Sequence, residues 1–236
     1  MDKIIIDGYE FLRVQAEKAT MIFSTAKNNL NFNIHCDEGK NNILRLKQWF
    51  GLDDISYLYQ KHSDNVYIQD GNIYEGDGII TNKKNIGIGV FTADCVPVLL
   101  YDKVENVVAA VHSGWKGTLS CITIKALEKM QKEYGCSFKN INAYIGPHNR
   151  MCCYEIGEDV ADKFNKSALY SGIEIIKNNK LNLERCIVRQ LEYLGVSSKN
   201  INTMNLCTYC NEEIQLFSYR KSKENYGRMF SFIFIK

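Results

Sequence analysis

Residues 92–118 read TADCVPVLLYDKVENVVAAVHSGWKGT, two short apolar runs joined by a polar turn. The runs at 96–101 and 107–111 are rich in β-branched residues and end at polar ones, which is typical of buried strands. Cys95 lies directly before the first run, and His112 directly after the second. Because the strands of a hairpin run in opposite directions, the start of one lies beside the end of the other. The pattern therefore predicts that Cys95 and His112 meet at one edge of a β-hairpin.

A cysteine and a histidine that lie together support two kinds of chemistry. The pair could bind Zn²⁺, which accepts Cys sulfur and His nitrogen, or act as a nucleophile with its base. A third interpretation needs no chemistry, because free Cys is often simply buried beside a hydrogen-bonded side chain. His62, in the segment QKHSDNV, is the best candidate for a third metal ligand.

Length and composition predict one globular domain spanning residues 1–236. The chain is 45% hydrophobic, enough to bury a sizeable core. It has only two prolines, Pro97 and Pro147, and both lie within candidate motifs rather than in linkers. No internal repeat or low-complexity segment interrupts it.

Charge and cysteine content narrow the class of protein. The 29 basic and 27 acidic residues are well mixed, and the net charge of +2 does not indicate a nucleic-acid partner. The beginning, MDKIIIDGYE, reads neither as a signal peptide nor as a membrane span. Nine cysteines without an export signal favour reduced thiols and metal ligation over disulfides. We therefore expect a cytoplasmic protein.

Helical periodicity marks three segments. Residues 41–50 carry apolar side chains on one side and end at Gly51. Residues 118–134 predict a second helix with Thr118 as its N-cap. Residues 181–194, capped by Asn182 and stopped by Gly195, predict a clearer amphipathic helix.

Four other cysteines occur in pairs. Cys152 and Cys153 are adjacent, and neighbouring side chains of an extended segment point to opposite faces, so we expect them to pack rather than to share a metal. Cys207 and Cys210 form a CxxC motif, which is half of a zinc site or a redox pair. Because no second such motif completes it, we expect structural cysteines. His148 is a spare imidazole to which we assign no role.

Five motifs occur in the order and spacing of one known family: TADCVPVLL, VHSGWKGT, QKHSDNV, IGPHNRMCCYEIG and FSYRKSKENYGRM. Over nearly its whole length the chain resembles the purine nucleoside phosphorylase family of YlmD/YfiH type, long labelled a laccase-like or polyphenol oxidase domain. The resemblance implies a YfiH-like α+β fold, a single domain with mixed β-sheets covered by helices. It also implies one Zn²⁺ per chain, held by His62, Cys95 and His112. The implied activity is phosphorolysis of adenosine, inosine and methylthioadenosine, with adenosine deamination as a side activity.

The resemblance also suggests where phosphate would bind. Lys116, Arg220 and Arg228 are the candidate cations, the two arginines lying around a turn before a final alternating strand. Ser24 is a further candidate for an anionic contact. The implied partners are therefore purine nucleosides and inorganic phosphate, without nucleic acid or membrane. The oligomeric state stays open, a monomer being the simplest expectation.

Two carboxylates are candidates for orienting the metal ligands. A metal-bound His usually donates its second nitrogen to a carboxylate or carbonyl, so Asp77 or Asp94 could hold one ligand. The chain departs from the family pattern at Ala26 and Ile43, where relatives carry arginine. These departures leave room for a shifted substrate preference.

Three rival functions differ in what they require. A multicopper oxidase needs more imidazoles than the four histidines of this chain supply. A cysteine hydrolase or deamidase would use Cys95 as nucleophile and His112 as base, and alkylation rather than chelation would inactivate it. A non-catalytic zinc module would show no turnover, and four protein ligands would close its metal site.

Overall fold

The structure is a computed structural model that describes residues 1–223 and 227–236. Its strands, in chain order, are β1 (Asp2–Ile6), β2 (Tyr9–Ala16), β3 (Ala19–Ser24), β4 (Asp54–Ser56), β5 (Val66–Ile68), β6 (Gly78–Thr81), β7 (Ile86–Thr92), β8 (Val96–Asp102), β9 (Val107–Ser113), β10 (Ile141–Ile145), β11 (Ile176–Lys177), β12 (Lys180–Leu181), β13 (Ile201–Thr203) and β14 (Met229–Ile235). Its α-helices are α1 (Asp37–Phe50), α2 (Trp115–Leu119), α3 (Ile122–Tyr134), α4 (Glu158–Asn165), α5 (Leu183–Tyr193) and α6 (Tyr219–Ser222).

Two six-stranded sheets form the centre of the fold. The strand order is β1-β2-β3-β14-β7-β4 in the first sheet and β13-β10-β8-β9-β6-β5 in the second, and β11 and β12 make a separate pair. Most neighbours are antiparallel, but β4–β7, β5–β6 and β10–β13 are parallel. The α+β class with mixed sheets is therefore confirmed.

The two sheets pack face to face, with helices on their outer faces. Along β8, Leu99 and Tyr101 belong to the apolar cluster between the sheets, whereas Val98 and Leu100 belong to the cluster that includes residues of α3 and α5. A third cluster joins α1 to the outer face of the first sheet. Both faces of the central strands are thus covered, which is why they read as continuous apolar runs. Of the described helices, none has the length and apolar character needed to span a bilayer.

The predicted helices at 41–50 and 181–194 are confirmed with shifted ends. The first helix begins four residues earlier, at Asp37. It is capped at its C-terminus by Gly51, which adopts the left-handed conformation with φ +61°. The second begins at Leu183, and the Asn182 side chain accepts a hydrogen bond from the backbone N–H of Arg185. Both ends carry the capping residues that sequence rules associate with them.

The predicted single helix over 118–134 is wrong. The segment forms α2 and α3, separated at Cys121, whose φ of +59° breaks the helical path. Thr118 lies inside α2 and is no N-cap, because its hydroxyl is buried against the Ser113 hydroxyl at 2.8 Å. The final strand also differs from the alternating pattern: every residue of β14 is buried, because one face packs toward the second sheet and the other toward α1. Part of the turn expected before it, at 224–226, falls outside the described residues.

Candidate active site

The hairpin predicted from residues 92–118 is formed by β8 and β9. Pro97 pairs with His112 and Val96 pairs with Ser113, so the start of β8 lies beside the end of β9. Cys95 directly precedes this paired edge, whereas His112 is still within β9 and is buried. The expectation that Cys95 and His112 come together is confirmed, because their ligand atoms lie within 4.8 Å of each other.

His62 joins this pair from a loop between β4 and β5. Its Nε2 atom lies 3.9 Å from Cys95 Sγ, and its ring centroid lies 4.9 Å from that of His112. One donor atom from each of His62, Cys95 and His112 falls within 4.8 Å of the others. Gly114 passes close behind them: a methyl group on it would lie 3.0 Å from Cys95 Sγ and 3.1 Å from His62 Cδ2. The backbone therefore leaves this space to the three side chains.

The His62 loop is folded around the buried carboxylate of Asp77. The backbone N–H groups of Lys61, His62 and Ser63 all donate to Asp77, at 3.2, 3.1 and 2.6 Å. The Ser63 hydroxyl adds a fourth hydrogen bond at 2.7 Å. Positive φ at His62, +57°, lets the loop turn its three N–H groups toward one acceptor. Asp77 thus positions one histidine through the backbone.

Asp77 also contacts the second histidine through its ring. Asp77 Oδ1 lies 2.8 Å from His112 Nδ1. Burial opposes ionisation of this carboxyl, but the hydrogen bonds from His112 and Ser63 lower its pKa to about 2. An ionised carboxylate can only accept, so Nδ1 of His112 carries the proton and Nε2 remains the donor atom for a metal.

Cys95 and His112 are a strongly coupled pair. Burial alone would raise the pKa of the Cys95 thiol, but the His112 and His62 imidazoles lower it to about 6. Burial alone would lower the pKa of His112, whereas Cys95 and Asp77 raise it to about 9. The surroundings therefore stabilise a thiolate, the form of cysteine that binds metals and acts as a nucleophile.

A cavity of about 540 Å³ opens over these three residues. Its walls carry six aromatic rings, contributed by Phe32, Tyr59, Phe91, Trp115, Tyr154 and Tyr219. Arg220, Arg228 and Lys61 bring positive charge to the same cavity, and His35 also lines it. Sequence reasoning missed the aromatic walls and His35, because these residues come from segments far apart in the chain.

Asp94 holds the segment that carries Arg220. The Thr208 hydroxyl donates to Asp94 Oδ1 at 2.6 Å, and the backbone N–H of Arg220 donates to Oδ2 at 2.7 Å. The Arg220 guanidinium lies 4.9 Å from the Tyr154 ring centroid and donates to the Glu155 carbonyl at 2.6 Å. The hydrogen bonds of Asp94 thus go to the arginine wall of the cavity rather than to a histidine, unlike the role expected for it.

Arg228 is held by the segment that precedes α1. Its backbone N–H donates to Asn31 Oδ1 at 2.9 Å, and its carbonyl accepts from the N–H of Phe32 at 2.9 Å. Phe32 and Arg228 therefore enter the cavity wall together. The two arginines predicted for one turn are both brought to the cavity.

Two candidates for phosphate contact lie outside the cavity lining. Ser24 is buried, and its hydroxyl accepts a hydrogen bond from the backbone N–H of Phe230 at 2.9 Å. Lys116 is exposed, with its ammonium 5.7 Å from the ring centroid of Trp115, which does line the cavity. Of the two positions that depart from the family pattern, Ile43 is in the core and Ala26 donates its N–H to the Gln215 carbonyl.

The structure corrects the interpretation of the paired cysteines. Cys152, Cys153, Cys207 and Cys210 form one cluster, in which the sulfur atoms lie within 4.8 Å of one another. Cys152 and Cys153 are on a turn rather than an extended segment, so they can face the same point. His148 is buried nearby, with Nδ1 at 2.9 Å from the Gly146 carbonyl and Nε2 at 3.8 Å from a Glu184 carboxylate oxygen.

Sequence and structure comparisons place the chain among known proteins. A family model described as "Multi-copper polyphenol oxidoreductase laccase" matches residues 19–236. A purine nucleoside phosphorylase of Clostridium acetobutylicum is 51% identical, over 98% of this chain and 98% of the relative. The adenosine deaminase RL5, from an unknown prokaryotic organism, is 32% identical over 78% of this chain and 76% of the relative.

Solved structures show the same fold. The hypothetical protein YfiH of Bacillus licheniformis superposes with a TM-score of 0.85 at 28% identity, over 92% of this chain and 93% of that one. The family match, the close phosphorylase relative and the shared fold agree with the five motifs. The chain therefore belongs to the laccase-like purine nucleoside phosphorylase family of YlmD/YfiH type.

Proposed function

We propose that this protein is a Zn²⁺-dependent purine nucleoside phosphorylase that cleaves adenosine, inosine and methylthioadenosine, with adenosine deamination as a side activity. One observation carries the proposal: a thiol, two imidazoles, two arginines and six aromatic rings all face one cavity. The names of the Clostridium acetobutylicum and RL5 relatives point to the same two reactions.

The donor set suits Zn²⁺. His62, Cys95 and His112 offer two nitrogens and one sulfur, the ligand types that zinc prefers, and three protein ligands leave a fourth position open as in catalytic zinc sites. Asp77 fixes the protonated nitrogen of His112 and the backbone of His62, which is the supporting arrangement that metal-binding histidines need. When bound, Zn²⁺ supplies Lewis-acid chemistry and lowers the pKa of bound water to about 7.

The cavity suits a nucleoside. Its volume of about 540 Å³ lies within the range of small-molecule sites, about 300–1,000 Å³. A purine has two flat faces, and aromatic side chains such as Phe91 and Tyr154 can stack against them.

The arginines suit phosphate. In phosphorolysis a phosphate oxygen forms a bond to C1′ while the bond from C1′ to the base breaks, and the base leaves with the electron pair and takes up a proton. Arg220 and Arg228 would hold the phosphate dianion and neutralise its charge, while the bound phosphate lies beneath the sugar carbon that becomes cationic. Asp94 and Tyr154 position Arg220 for this role, and Lys116 remains a proposed contact at the rim.

A cysteine hydrolase is the second candidate. The specific observation that favours it is the contact of the Cys95 thiol with both imidazoles, which would suit a nucleophile with its base. The multicopper chemistry named in the family description would need further histidines beyond the four in this chain.

Chromatography of adenosine incubated with the purified chain distinguishes these reactions. Adenine that forms only when inorganic phosphate is present supports phosphorolysis, whereas inosine formed without phosphate indicates deamination. Unchanged adenosine under both conditions would refute the proposal. Cys95→Ala and His62→Ala should remove turnover. Cys121→Ala serves as the matched control, because Cys121 is a half-buried thiol outside both the His62, Cys95 and His112 group and the four-cysteine cluster.

A further inference from the structure

A second cluster of metal-ligating atoms lies apart from the His62, Cys95 and His112 group. The sulfur atoms of Cys152, Cys153, Cys207 and Cys210 all lie within 4.8 Å of one another, and Cys152 Sγ and Cys210 Sγ are 3.5 Å apart. The four residues come from two segments separated by more than fifty residues of sequence. Four sulfur donors that converge on one point are the ligand set of a structural zinc site.

Both segments are shaped to present sulfur to one point. The first turns at 151–153, where the N–H groups of Cys153 and Tyr154 both donate to the Arg150 carbonyl at 2.8 Å. The second is a CxxC turn in which the Asn211 N–H donates to the Cys207 carbonyl at 3.1 Å. A hydrogen bond also ties the two segments together, because the Thr208 N–H donates to the His148 carbonyl at 2.9 Å.

The cluster lies at the edge of the protein interior, because Cys207 is buried whereas Cys152 and Cys210 are exposed. A positive charge also lies beside the cluster, since Lys180 Nζ donates to the Cys152 carbonyl at 2.8 Å.

The distances select a mononuclear site. Around a tetrahedral zinc with Zn–S bonds of about 2.3 Å, the sulfur atoms are about 3.8 Å apart. The limit of 4.8 Å for the four sulfurs fits this arrangement. A cubane iron–sulfur cluster would need wider separations, because each of its cysteines binds a different iron.

We propose that Cys152, Cys153, Cys207 and Cys210 bind a structural Zn²⁺ as a closed four-cysteine site. The chain would then hold two zinc ions of different kinds, rather than the single ion implied by the family resemblance. Because four protein ligands leave no open coordination position for substrate, the zinc ion would stabilise the fold rather than take part in the reaction. The inference concerns residues other than those of the proposed active site and does not depend on its activity.

The position of the site explains what it would do. Tyr154 follows directly after Cys153 and lines the cavity, and Thr208 follows Cys207 and donates to Asp94, which holds the Arg220 backbone. A zinc ion between the two segments would fix the wall made by Tyr154 and Arg220. We therefore expect the site to position Arg220 rather than to touch substrate.

Metal content tests the proposal. The untagged full-length chain is purified under reducing conditions from cells grown with Zn²⁺, and zinc per chain is measured by plasma mass spectrometry. His62→Ala should retain one zinc, and X-ray absorption at the zinc edge should show sulfur ligands only. The double variant with Cys207→Ser and Cys210→Ser should lose this zinc ion. The Cys121→Ser variant should hold as much zinc per chain as the unaltered chain.

Each outcome bears on a different site. A zinc ion with sulfur ligands only in the His62→Ala chain supports the four-cysteine site, whatever happens to the active-site proposal. If the unaltered chain also held only this one zinc ion, the active-site proposal would fail and the four-cysteine site would stand. A metal-free His62→Ala chain, nitrogen ligands in its spectrum, or iron in place of zinc would overturn the inference. So would an intact mass lower by two hydrogens, which indicates a disulfide. Since the spectrum is recorded on His62→Ala, the test holds even where the double variant does not fold.

Discussion

Asp77 accepts a hydrogen bond from His112 Nδ1 at 2.8 Å and, with the same oxygen, one from the His62 backbone N–H at 3.1 Å. One buried carboxylate therefore positions both proposed histidine ligands, one through its ring and the other through its backbone. A change at Asp77 should alter both at once.

Asp77→Asn should weaken zinc binding without abolishing it. The amide keeps the shape of the carboxylate but supplies one acceptor oxygen instead of two, so the Lys61–Ser63 N–H groups and His112 can no longer all be satisfied. We expect zinc affinity to fall by about 10–100-fold, as for other residues that support metal ligands. Competition with a chromophoric chelator measures the change. Asp70→Asn, in an exposed turn where the carboxylate bonds to Tyr74, is the control, and equal loss in both variants would contradict the assignment.

Gly114→Ala should disturb the ligand geometry itself. The added methyl would lie 3.0 Å from Cys95 Sγ and 3.1 Å from His62 Cδ2, so one of them must move. Overpacking of this kind costs about 1–3 kcal/mol, which corresponds to a loss of about 5- to 150-fold in zinc affinity. Chelator competition again gives the value.

Gly157→Ala is a closely matched control for that change. Gly114 and Gly157 both precede a helix and have nearly the same backbone angles, φ −74° with ψ 177° and φ −76° with ψ 164°. A methyl at Gly157 meets only the Asp159 carboxylate, which can rotate away. If both variants bound zinc as the unaltered chain does, Gly114 would not limit the site.

Arg220→Ala should raise the KM for phosphate. Hydrogen bonds to charged groups contribute about 1.5–3 kcal/mol, so we expect a rise of about 10–100-fold. Arg220→Lys should recover part of it, since the charge remains and the paired donors are lost. Initial rates of adenine release at varied phosphate give the values. Lys103→Ala, in the exposed turn at the far end of the β8–β9 hairpin, should leave the KM unchanged.

Removal of metal separates the two candidate functions. A phosphorylase that depends on His62, Cys95 and His112 for zinc should lose adenine release after dialysis against a strong chelator and regain it when Zn²⁺ alone is added. A cysteine hydrolase should keep its activity in the chelator and lose it on treatment with iodoacetamide. Activity that survives chelation would thus favour Cys95 as a nucleophile.

Local patterns predicted the elements that depend on neighbours in sequence. The β8–β9 hairpin and α5 with its Asn182 cap follow from periodicity and capping rules, which act over a few residues. The split between α2 and α3 was not predictable from periodicity, because it depends on the buried contact between the Thr118 and Ser113 hydroxyls and on the backbone of Cys121.

The site was predictable in part for the same reason. Cys95 and His112 follow from one hairpin, but the residues alone make His62 only a candidate ligand, since its loop is placed by the distant carboxylate of Asp77. The four-cysteine cluster was missed because adjacent cysteines were assigned to an extended segment. Only the fold shows that Cys152 and Cys207 approach each other.

The position of β14 has a consequence for how the chain is made. This strand pairs with β3 on one side and β7 on the other, so the first sheet has a gap until residues 229–235 have left the ribosome. Until then β3 and β7 each expose an unpaired edge, the kind of surface through which nascent chains associate wrongly. Closure of the first sheet therefore waits for residues 229–235, and loss of this segment would remove an inner strand rather than a peripheral one.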